Sequence, residues 1–203
     1  MEGRLIGKGA EAELRESTWN GRPALSKKRV AKKYRVAALD YSLRKRRTRR
    51  EAKCLRIARE NGVPAPELFF ENEEKFELLL EKLDGTLLSR KKISSKEAWQ
   101  AGEVLAALHS AGIAHGDYST SNLMAVKGAK KGVFVIDFGL SELTNSLEER
   151  ADDAIVFEKS LDNEPLAKSF RQGYLKKAGN EGQLIFARGK QILSRARYAR
   201  SAI

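Results

Sequence analysis

The sequence reads His115-Gly116-Asp117-Tyr118-Ser119-Thr120-Ser121-Asn122, and Asp137-Phe138-Gly139 begins fifteen residues after Asn122. Asp and Asn side chains carry the oxygen ligands that Mg²⁺ prefers. In phosphoryl transfer, an Asp orients the attacking hydroxyl or water, while an Asn five residues later and a further Asp hold the Mg²⁺ ions that bridge the phosphates. The pattern therefore predicts Asp117 as a catalytic residue and Asn122 and Asp137 as metal ligands.

A hairpin is predicted between these two motifs. Residues 123–126 and 132–136 are short apolar runs, and Lys127-Gly128 supplies a turn between them. Such a hairpin would present Asn122 and Asp137 at adjacent strand ends. An ordinary Asp-capped loop beside a buried strand is the alternative, because one short motif also occurs by chance.

A glycine-rich turn precedes a second predicted hairpin near the start of the sequence. Small residues in such a turn let backbone N–H groups approach phosphate oxygens closely. Asn20-Gly21 then supplies a two-residue hairpin turn, because both residues tolerate a positive φ. The predicted nucleotide contacts in the glycine-rich turn are Ile6, Gly7, Gly9, Ala10, Glu11 and Ala12.

A lysine that contacts phosphates is expected on or just after the third strand, which runs from Arg22 to about Val30. The alternation of side chains along a strand does not choose among the available lysines. The candidates are Lys27, Lys28, Lys32 and Lys33.

The acidic partner of that lysine is expected on the following helix. From residue 40 to residue 57 the only acids are Asp40 and Glu51. Asp40 is predicted to cap the start of the helix. Glu51 then remains as the ion-pair partner, unless it is a solvated charge that balances Arg47 or Arg50.

Further motifs carry a resemblance to one family. They are Gly7-x-Gly9-Ala10-Glu11-Ala12, Lys27-x-Arg29, Lys32-x-Tyr34-Arg35, Leu39-Asp40, Arg46-Arg47-Thr48-x-x-Glu51-Ala52, Gly62-Val63-x-Ala65-Pro66 and Leu108-His109. With the runs at residues 115–122 and 136–141, they resemble the small atypical kinase/ATPase of the KEOPS (EKC) tRNA-modification complex, the PRPK-like kinases. The resemblance implies that Lys27 is the strand lysine and pairs with Glu51. Ala12 in place of a third glycine and Gly116 in place of an arginine depart from ordinary protein kinases but fit this family.

The resemblance also implies the fold. We expect an α+β, bilobal protein-kinase-like fold of minimal size, with a small antiparallel N-lobe sheet, one long helix and a short, mainly helical C-lobe. The single domain would comprise an N-lobe (1–84), a C-lobe (85–187) and a basic tail (188–203). In kinases the connector between the lobes meets the adenine, so the predicted base contacts are Glu81, Lys82 and Leu83. Only 66 residues follow Asp137, which leaves no room for a long activation segment.

Basic residues are concentrated in two parts of the chain. The net charge is +12, residues 22–56 contain fifteen Lys or Arg against two acids, and the last seventeen residues contain five Lys or Arg and no acid. A solvated basic face is the ordinary interpretation, but such faces normally interleave acids. We therefore expect a nucleic acid or an acidic partner here. The candidate contact residues are Arg44, Arg46, Arg47, Arg49, Arg50, Arg188, Lys190, Arg195 and Arg197.

The cofactors implied by the resemblance are ATP and Mg²⁺. The implied partners are tRNA, the threonylcarbamoyl transferase subunit and a small N-lobe-binding subunit of KEOPS, and the implied role is support of threonylcarbamoyl-adenosine modification next to the anticodon. Ser/Thr phosphorylation is compatible with Asp117. No apolar run has membrane length, so a cytoplasmic location is expected. Two other functions stay open: a small-molecule phosphotransferase of the aminoglycoside or choline kinase type, and a catalytically silent scaffold that binds RNA or partner proteins.

Overall fold

A five-stranded antiparallel sheet forms the first part of this computed structural model, which describes residues 3–9, 11–128 and 132–201, with side chains described as far as Arg195. The spatial order of its strands is β1-β2-β3-β5-β4. The strands are β1 (Leu5–Lys8), β2 (Ala12–Trp19), β3 (Arg22–Arg29), β4 (Leu68–Asn72) and β5 (Glu77–Glu81).

The turn between β2 and β3 forms as the sequence predicts. Asn20 has φ 48° and Gly21 has φ 77°, and these left-handed conformations at both central residues are typical of a two-residue hairpin turn. This turn fixes the register of the two strands, which pairs Leu14 with Lys27. The position of Lys27 along β3 is therefore set by the hairpin.

Helix α1 (Ala37–Glu60) crosses from the sheet to the rest of the molecule. The prediction that Asp40 caps this helix is wrong, because the helix begins at Ala37 and Val36 occupies the cap position without a side-chain hydrogen bond. Asp40 instead accepts hydrogen bonds from Lys32 N at 3.2 Å and from Arg44 Nε at 2.7 Å, which ties the β3–α1 loop to the first turns of the helix.

The second part of the molecule consists of helices and two small sheets. The described helices are α2 (Ser95–Ser110), α3 (Leu147–Lys159) and α4 (Glu164–Ser201), and α4 is kinked at Gly179. Strands β6 (Gly85–Leu87), β8 (Leu123–Val126) and β9 (Val133–Val135) form one sheet, while β7 (Ile113–Ala114) pairs with β10 (Glu142–Leu143). The predicted break after residue 84 falls between the end of β5 and the start of β6.

The main packing contact of this second part is the crossing of α2 and α4. A Cβ on Gly102 would lie 2.1 Å from the carbonyl oxygen of Phe170, and a Cβ on Gly173 would lie 2.0 Å from that of Trp99. The helix backbones therefore approach at a distance that only glycine permits. Phe170 in turn packs on Phe157 of α3 with ring centroids 4.5 Å apart, so three helices share one core.

The predicted basic tail (188–203) continues α4 and is helical as far as Ser201. Arg188 Nη2 donates a hydrogen bond to Glu148 Oε2 of α3 at 2.5 Å. This contact connects the basic end of α4 to the preceding helix. Within the described ranges, no helix has both the length and the apolar composition needed to cross a membrane.

The α2–α4 crossing leads to a stability prediction. Gly102→Ala should lower the free energy of unfolding by about 2–3 kcal/mol, because the new methyl group has to displace backbone atoms. Gly189→Ala on α4 is the matched control, since its Cβ would meet only side-chain atoms of Ile155, at 3.5 and 3.6 Å. It should raise stability by about 0.5–1 kcal/mol, as alanine is the better helix former. Urea denaturation measures both, and a neutral Gly102→Ala would contradict the close crossing.

Candidate active site

Strand β3 and helix α1 meet at a buried ion pair. Lys27 Nζ donates a hydrogen bond to Glu51 Oε1 at 2.5 Å, and only 8 % of Lys27 and 2 % of Glu51 is exposed. Side chains alternate across a strand, so Lys28 is exposed while Lys27 and Arg29 are buried. Of the two lysines on β3, the structure places Lys27 against the predicted partner.

Asp137 joins this pair from the other lobe. Lys27 Nζ donates to Asp137 Oδ1 at 2.7 Å, and Gly139 N donates to the same oxygen at 3.0 Å. Burial alone would raise the pKa of Asp137, but the charge and hydrogen bond of Lys27 outweigh it and lower the pKa below its ordinary value. Burial alone would lower the pKa of Lys27, but Glu51 and Asp137 raise it above its ordinary value. Lys27 and Asp137 are therefore both charged at neutral pH.

The loop after β7 brings Asp117 and Asn122 together. Asn122 Nδ2 donates to Asp117 Oδ2 and to the Asp117 carbonyl oxygen, each at 2.8 Å. Ile136 N donates to the carbonyl oxygen of Asn122 at 2.9 Å. Asn122 and Asp137 thus lie at adjacent ends of the β8–β9 hairpin, as the sequence predicts.

Asp153 on α3 holds this loop in place, and the sequence analysis missed it. Its Oδ2 accepts a hydrogen bond from His115 N at 2.6 Å, and its Oδ1 accepts one from Gly116 N at 2.8 Å. His115 adds a second brace, because its Nε2 donates to the Ile136 carbonyl at 3.2 Å and its Nδ1 accepts from Asp117 N at 3.3 Å. Only a neutral imidazole can do both, and burial lowers the pKa of His115.

Residue 116 has to be a glycine because the chain that follows Asp-Phe-Gly packs directly against its backbone. It has φ 79°, and a Cβ here would lie 2.6 Å from the carbonyl oxygen of Leu140. Ser141 Oγ donates to the carbonyl oxygen of His115 at 3.1 Å, and β10 begins at the next residue. Helix α3 starts at Leu147, so the chain between it and Gly139 is too short for a long activation segment.

Arg29 is a second residue whose role the sequence analysis missed. Its Nη2 is hydrogen-bonded to Glu51 Oε2, and its Nη1 donates to Glu11 Oε2 at 3.3 Å. Glu11 also bonds to Arg47 of α1, and this bond lowers the pKa of Glu11 below its ordinary value. A chain of ion pairs therefore connects the glycine-rich turn to Glu51 through Arg29.

The predicted nucleotide contacts lie in two segments. Ile6 and Gly7 are on β1, and Gly9 N donates to the Ala12 carbonyl at 2.9 Å to close the glycine-rich turn, whereas Ala10 lies outside the described residues. In the connector, Glu81 Oε2 accepts from Glu67 N at 3.0 Å, Lys82 Nζ donates to Glu16 at 2.7 Å, and Leu83 is partly buried. The side chains of Glu81 and Lys82 are thus engaged within the N-lobe, and so are their backbone N–H groups, which donate to the carbonyl oxygens of Glu67 at 2.8 Å and Pro23 at 3.3 Å.

Ion pairs divide the predicted basic contact residues into two groups. Five of these arginines bond to acids, and the pairs are Arg44–Asp40, Arg47–Glu11, Arg49–Glu73, Arg50–Glu142 and Arg188–Glu148. Arg46, Lys190 and Arg195 are exposed and have no ion pair within the part of the chain that the structure describes. The side chain of Arg197 lies outside the described residues.

The oxygen atoms left over at this site fit a magnesium ion brought in with a nucleotide. Among the described residues, both hydrogen bonds to the Asp137 carboxylate fall on Oδ1, which leaves Oδ2 for a metal. Asn122 uses its Nδ2 and leaves its Oδ1. Mg²⁺ is commonly bound by one or two such protein oxygens together with phosphates and water.

Comparison with known proteins identifies the family. Residues 1–161 match the protein kinase domain, and the chain therefore belongs to the protein kinase domain family. Members of this family transfer phosphoryl groups from ATP with the help of Mg²⁺.

Curated relatives carry a more specific name. The chain is 37 % identical over 200 residues to a probable bifunctional tRNA threonylcarbamoyladenosine biosynthesis protein of Methanobrevibacter smithii, covering 96 % of this chain and 36 % of the relative. The protein of the same name from Methanocaldococcus jannaschii is 32 % identical over 201 residues, covering 96 % and 37 %. The chain spans about a third of the length of these relatives. Their names agree with the family resemblance that the motifs carry.

Two solved structures share the fold. WaaP in complex with acyl carrier protein superposes with a TM-score of 0.59 at 14 % identity, covering 93 % of this chain and 87 % of that one. The Rio2 kinase from Chaetomium thermophilum, in its ADP/Mg²⁺-phosphoaspartate complex, has a TM-score of 0.60 at 14 % identity, covering 87 % and 56 %. These likenesses, with the matched domain, confirm the predicted protein-kinase-like fold.

The bridging position of Arg29 yields a prediction for stability. Arg29→Ala should lower the free energy of unfolding by about 3 kcal/mol, because it leaves part of the buried Glu51 carboxylate unpaired. Arg29→Lys should recover part of the lost stability, because it restores the positive charge but not the two guanidinium nitrogens that bond to Glu51 and Glu11. Arg4→Ala removes an exposed ion pair with Glu16 on the same sheet and should change stability by less than about 1 kcal/mol. Similar urea midpoints for Arg29→Ala and Arg4→Ala would contradict this account.

The buried histidines predict a pH dependence of stability. Burial lowers the pKa of both His109 and His115, whereas histidine in an unfolded chain takes up a proton near pH 6.5. Protonation therefore favours the unfolded state, and the free energy of unfolding should fall as the pH drops from 7.5 to 5.5, by at most about 1.4 kcal/mol per histidine. Urea titrations at both pH values test this. His109→Gln should show a clearly smaller pH dependence, and an unchanged dependence would be contrary to the prediction.

Proposed function

We propose that this protein is a Mg-ATP-dependent atypical kinase or ATPase that supports threonylcarbamoyl-adenosine modification of tRNA next to the anticodon, as a subunit of the KEOPS complex in the cytoplasm. The observation that carries the proposal is the 32 to 37 % identity, over nearly the whole chain, to proteins named for tRNA threonylcarbamoyladenosine biosynthesis. The chain spans only about a third of the length of those relatives. The activity and partners of this chain are therefore proposed here and are not taken from the relatives' names.

The buried ion pairs support the assignment of the phosphate- and metal-binding residues. Mg-ATP, when bound, supplies the transferable phosphoryl group. Lys27 is the lysine that contacts its phosphates, and Glu51 orients Lys27 through the 2.5 Å hydrogen bond. Asn122 Oδ1 and Asp137 Oδ2 are the metal ligands. Asp137 lies 2.7 Å from Lys27, so the metal and phosphate sites adjoin.

Asp117 is the residue that positions the attacking water or hydroxyl. Its Oδ2 accepts a hydrogen bond from Asn122 Nδ2 at 2.8 Å, which fixes the carboxylate beside a metal ligand. Its other oxygen is then available to accept a proton or hydrogen bond from a nucleophile. The carboxylate is exposed, so water can reach it directly, and a Ser or Thr hydroxyl of a partner protein can do so as well.

The nucleotide base and the partners occupy surfaces beyond this centre. The connector at Glu81, Lys82 and Leu83 would hold the base, and the glycine-rich turn would hold the phosphates. The transferase subunit, a small subunit on the N-lobe and tRNA are the proposed partners. The short chain between Gly139 and α3 supports a site that works without phosphorylation of an activation segment.

The two other functions considered above are less well supported. A small-molecule phosphotransferase needs an enclosed pocket for its substrate, whereas the Asp117 carboxylate is exposed. A silent scaffold has no need for a buried pair of opposite charges, which costs desolvation energy. Lys27 and Glu51 nevertheless form such a pair.

Phosphate release from Mg-ATP tests the proposal. The chain would be assayed with its threonylcarbamoyl transferase partner, with and without tRNA, next to Asp137→Ala and the control Asp162→Ala, which removes an exposed loop carboxylate. We expect tRNA to stimulate release, Asp137→Ala to lose at least 100-fold in rate because a metal ligand is gone, and Asp162→Ala to match the natural chain. If tRNA does not change the rate of phosphate release and small alcohols become phosphorylated, the proposal is wrong and the protein is a small-molecule phosphotransferase.

A further inference from the structure

Helix α1 and strand β10 line an open groove of about 630 Å³ on the surface of the molecule. Five of its lining residues are basic and only Glu142 is acidic. The basic residues are Lys45, Arg46, Arg49, Arg50 and Lys53. Neither Lys27 nor Glu51 lines the groove, so it is a surface separate from the catalytic ion pair.

The basic side chains of the groove form a line along α1. Lys45, Arg49 and Lys53 follow one another at four-residue intervals, which places them on one face of the helix at steps of about 6 Å along its axis. Arg46 and Lys53 are exposed and make no ion pair within the described residues. Arg50 bonds to Glu142 and so carries less free charge. Among the described residues, the groove thus offers unpaired positive charge at Arg46 and Lys53.

The ring of Tyr41 indicates which of two polyanions, RNA or an acidic protein surface, the groove fits better. It is 46 % exposed and is held edge-on by Phe76, with ring centroids 5.2 Å apart. Lys45 Nζ lies 5.8 Å from its centroid. A fixed aromatic ring beside cations can stack on a nucleic-acid base while the cations bind the backbone. This arrangement favours RNA over an acidic protein surface.

We propose that this groove binds the phosphodiester backbone of RNA, with Lys45, Arg46 and Lys53 neutralising phosphates and Tyr41 stacking on a base. The choice of RNA rests on the function proposed above. Arg44 and Arg47 do not line the groove. Their ion pairs with Asp40 and Glu11 stabilise the N-lobe instead. Glu142 opposes RNA binding, because its carboxylate repels phosphates and occupies Arg50.

Binding of a fluorescent tRNA transcript, measured by anisotropy without ATP at several salt concentrations, tests the groove. The triple variant Lys45→Gln/Arg46→Gln/Lys53→Gln should lose at least tenfold in affinity near 0.1 M salt, and the slope of log K against log salt should shrink by about 2. The control Lys92→Gln/Lys96→Gln/Lys168→Gln removes the same charge from exposed sites in the other lobe and should stay within about twofold. Glu142→Gln should raise the affinity about two- to fivefold.

The outcomes separate the groove from the proposed function. Equal losses in the groove and control variants, or no loss in either, would overturn the inference. Unchanged RNA affinity with lost binding to polyglutamate would also overturn it and would assign the groove to an acidic protein. Selective loss of RNA affinity supports the groove even if tRNA fails to stimulate phosphate release, in which case only the proposed function fails.

Discussion

The buried hydrogen bond between Lys27 and Glu51 is the interaction on which the rest of the site depends. Two charges with less than a tenth of their surface exposed are tolerated in a protein interior only if other charges and donors surround them. Arg29 and Asp137 provide these at opposite ends of the pair. Strand β3, helix α1, the glycine-rich turn and the Asp-Phe-Gly segment are therefore held together by one set of ion pairs.

The loop that carries Asp117 is held in a comparable way. Asp153 accepts two backbone hydrogen bonds from residues 115 and 116, and the chain after Asp-Phe-Gly lies directly on Gly116. An arginine at position 116 would have to displace that chain. The structure thus explains why glycine stands where ordinary protein kinases carry arginine.

The parts of the site that the sequence predicts are those encoded by short motifs. Asn122 and Asp137 could be brought together because a two-stranded hairpin connects them, and Glu51 could be found because it is one of only two acids between residues 40 and 57. Asp153 could not be found in this way, since its role arises from α3 packing against a loop far away in sequence. The error at Asp40 has a similar cause, because a tertiary contact with the β3–α1 loop took the place of the local capping bond.

Ion pairing also limits what charge counts can predict. In the sequence, residues 44–50 look like one basic surface. In the structure, Asp40 pairs with Arg44 on the same helix, and Glu11, Glu73 and Glu142 come from three other places in the chain to pair with Arg47, Arg49 and Arg50. Only three-dimensional contacts distinguish an arginine that supports the N-lobe, such as Arg47, from one that faces solvent, such as Arg46.

A crystal structure with Mg²⁺ and a non-hydrolysable ATP analogue would test the central claim, that the Lys27–Glu51 ion pair is already formed before a nucleotide binds. The account predicts that the Lys27–Glu51 bond and the position of α1 stay as they are, while Lys27 turns from Asp137 towards the phosphates and Asp137 binds the metal. A structure in which α1 has moved, or in which Lys27 no longer bonds to Glu51, would contradict this claim.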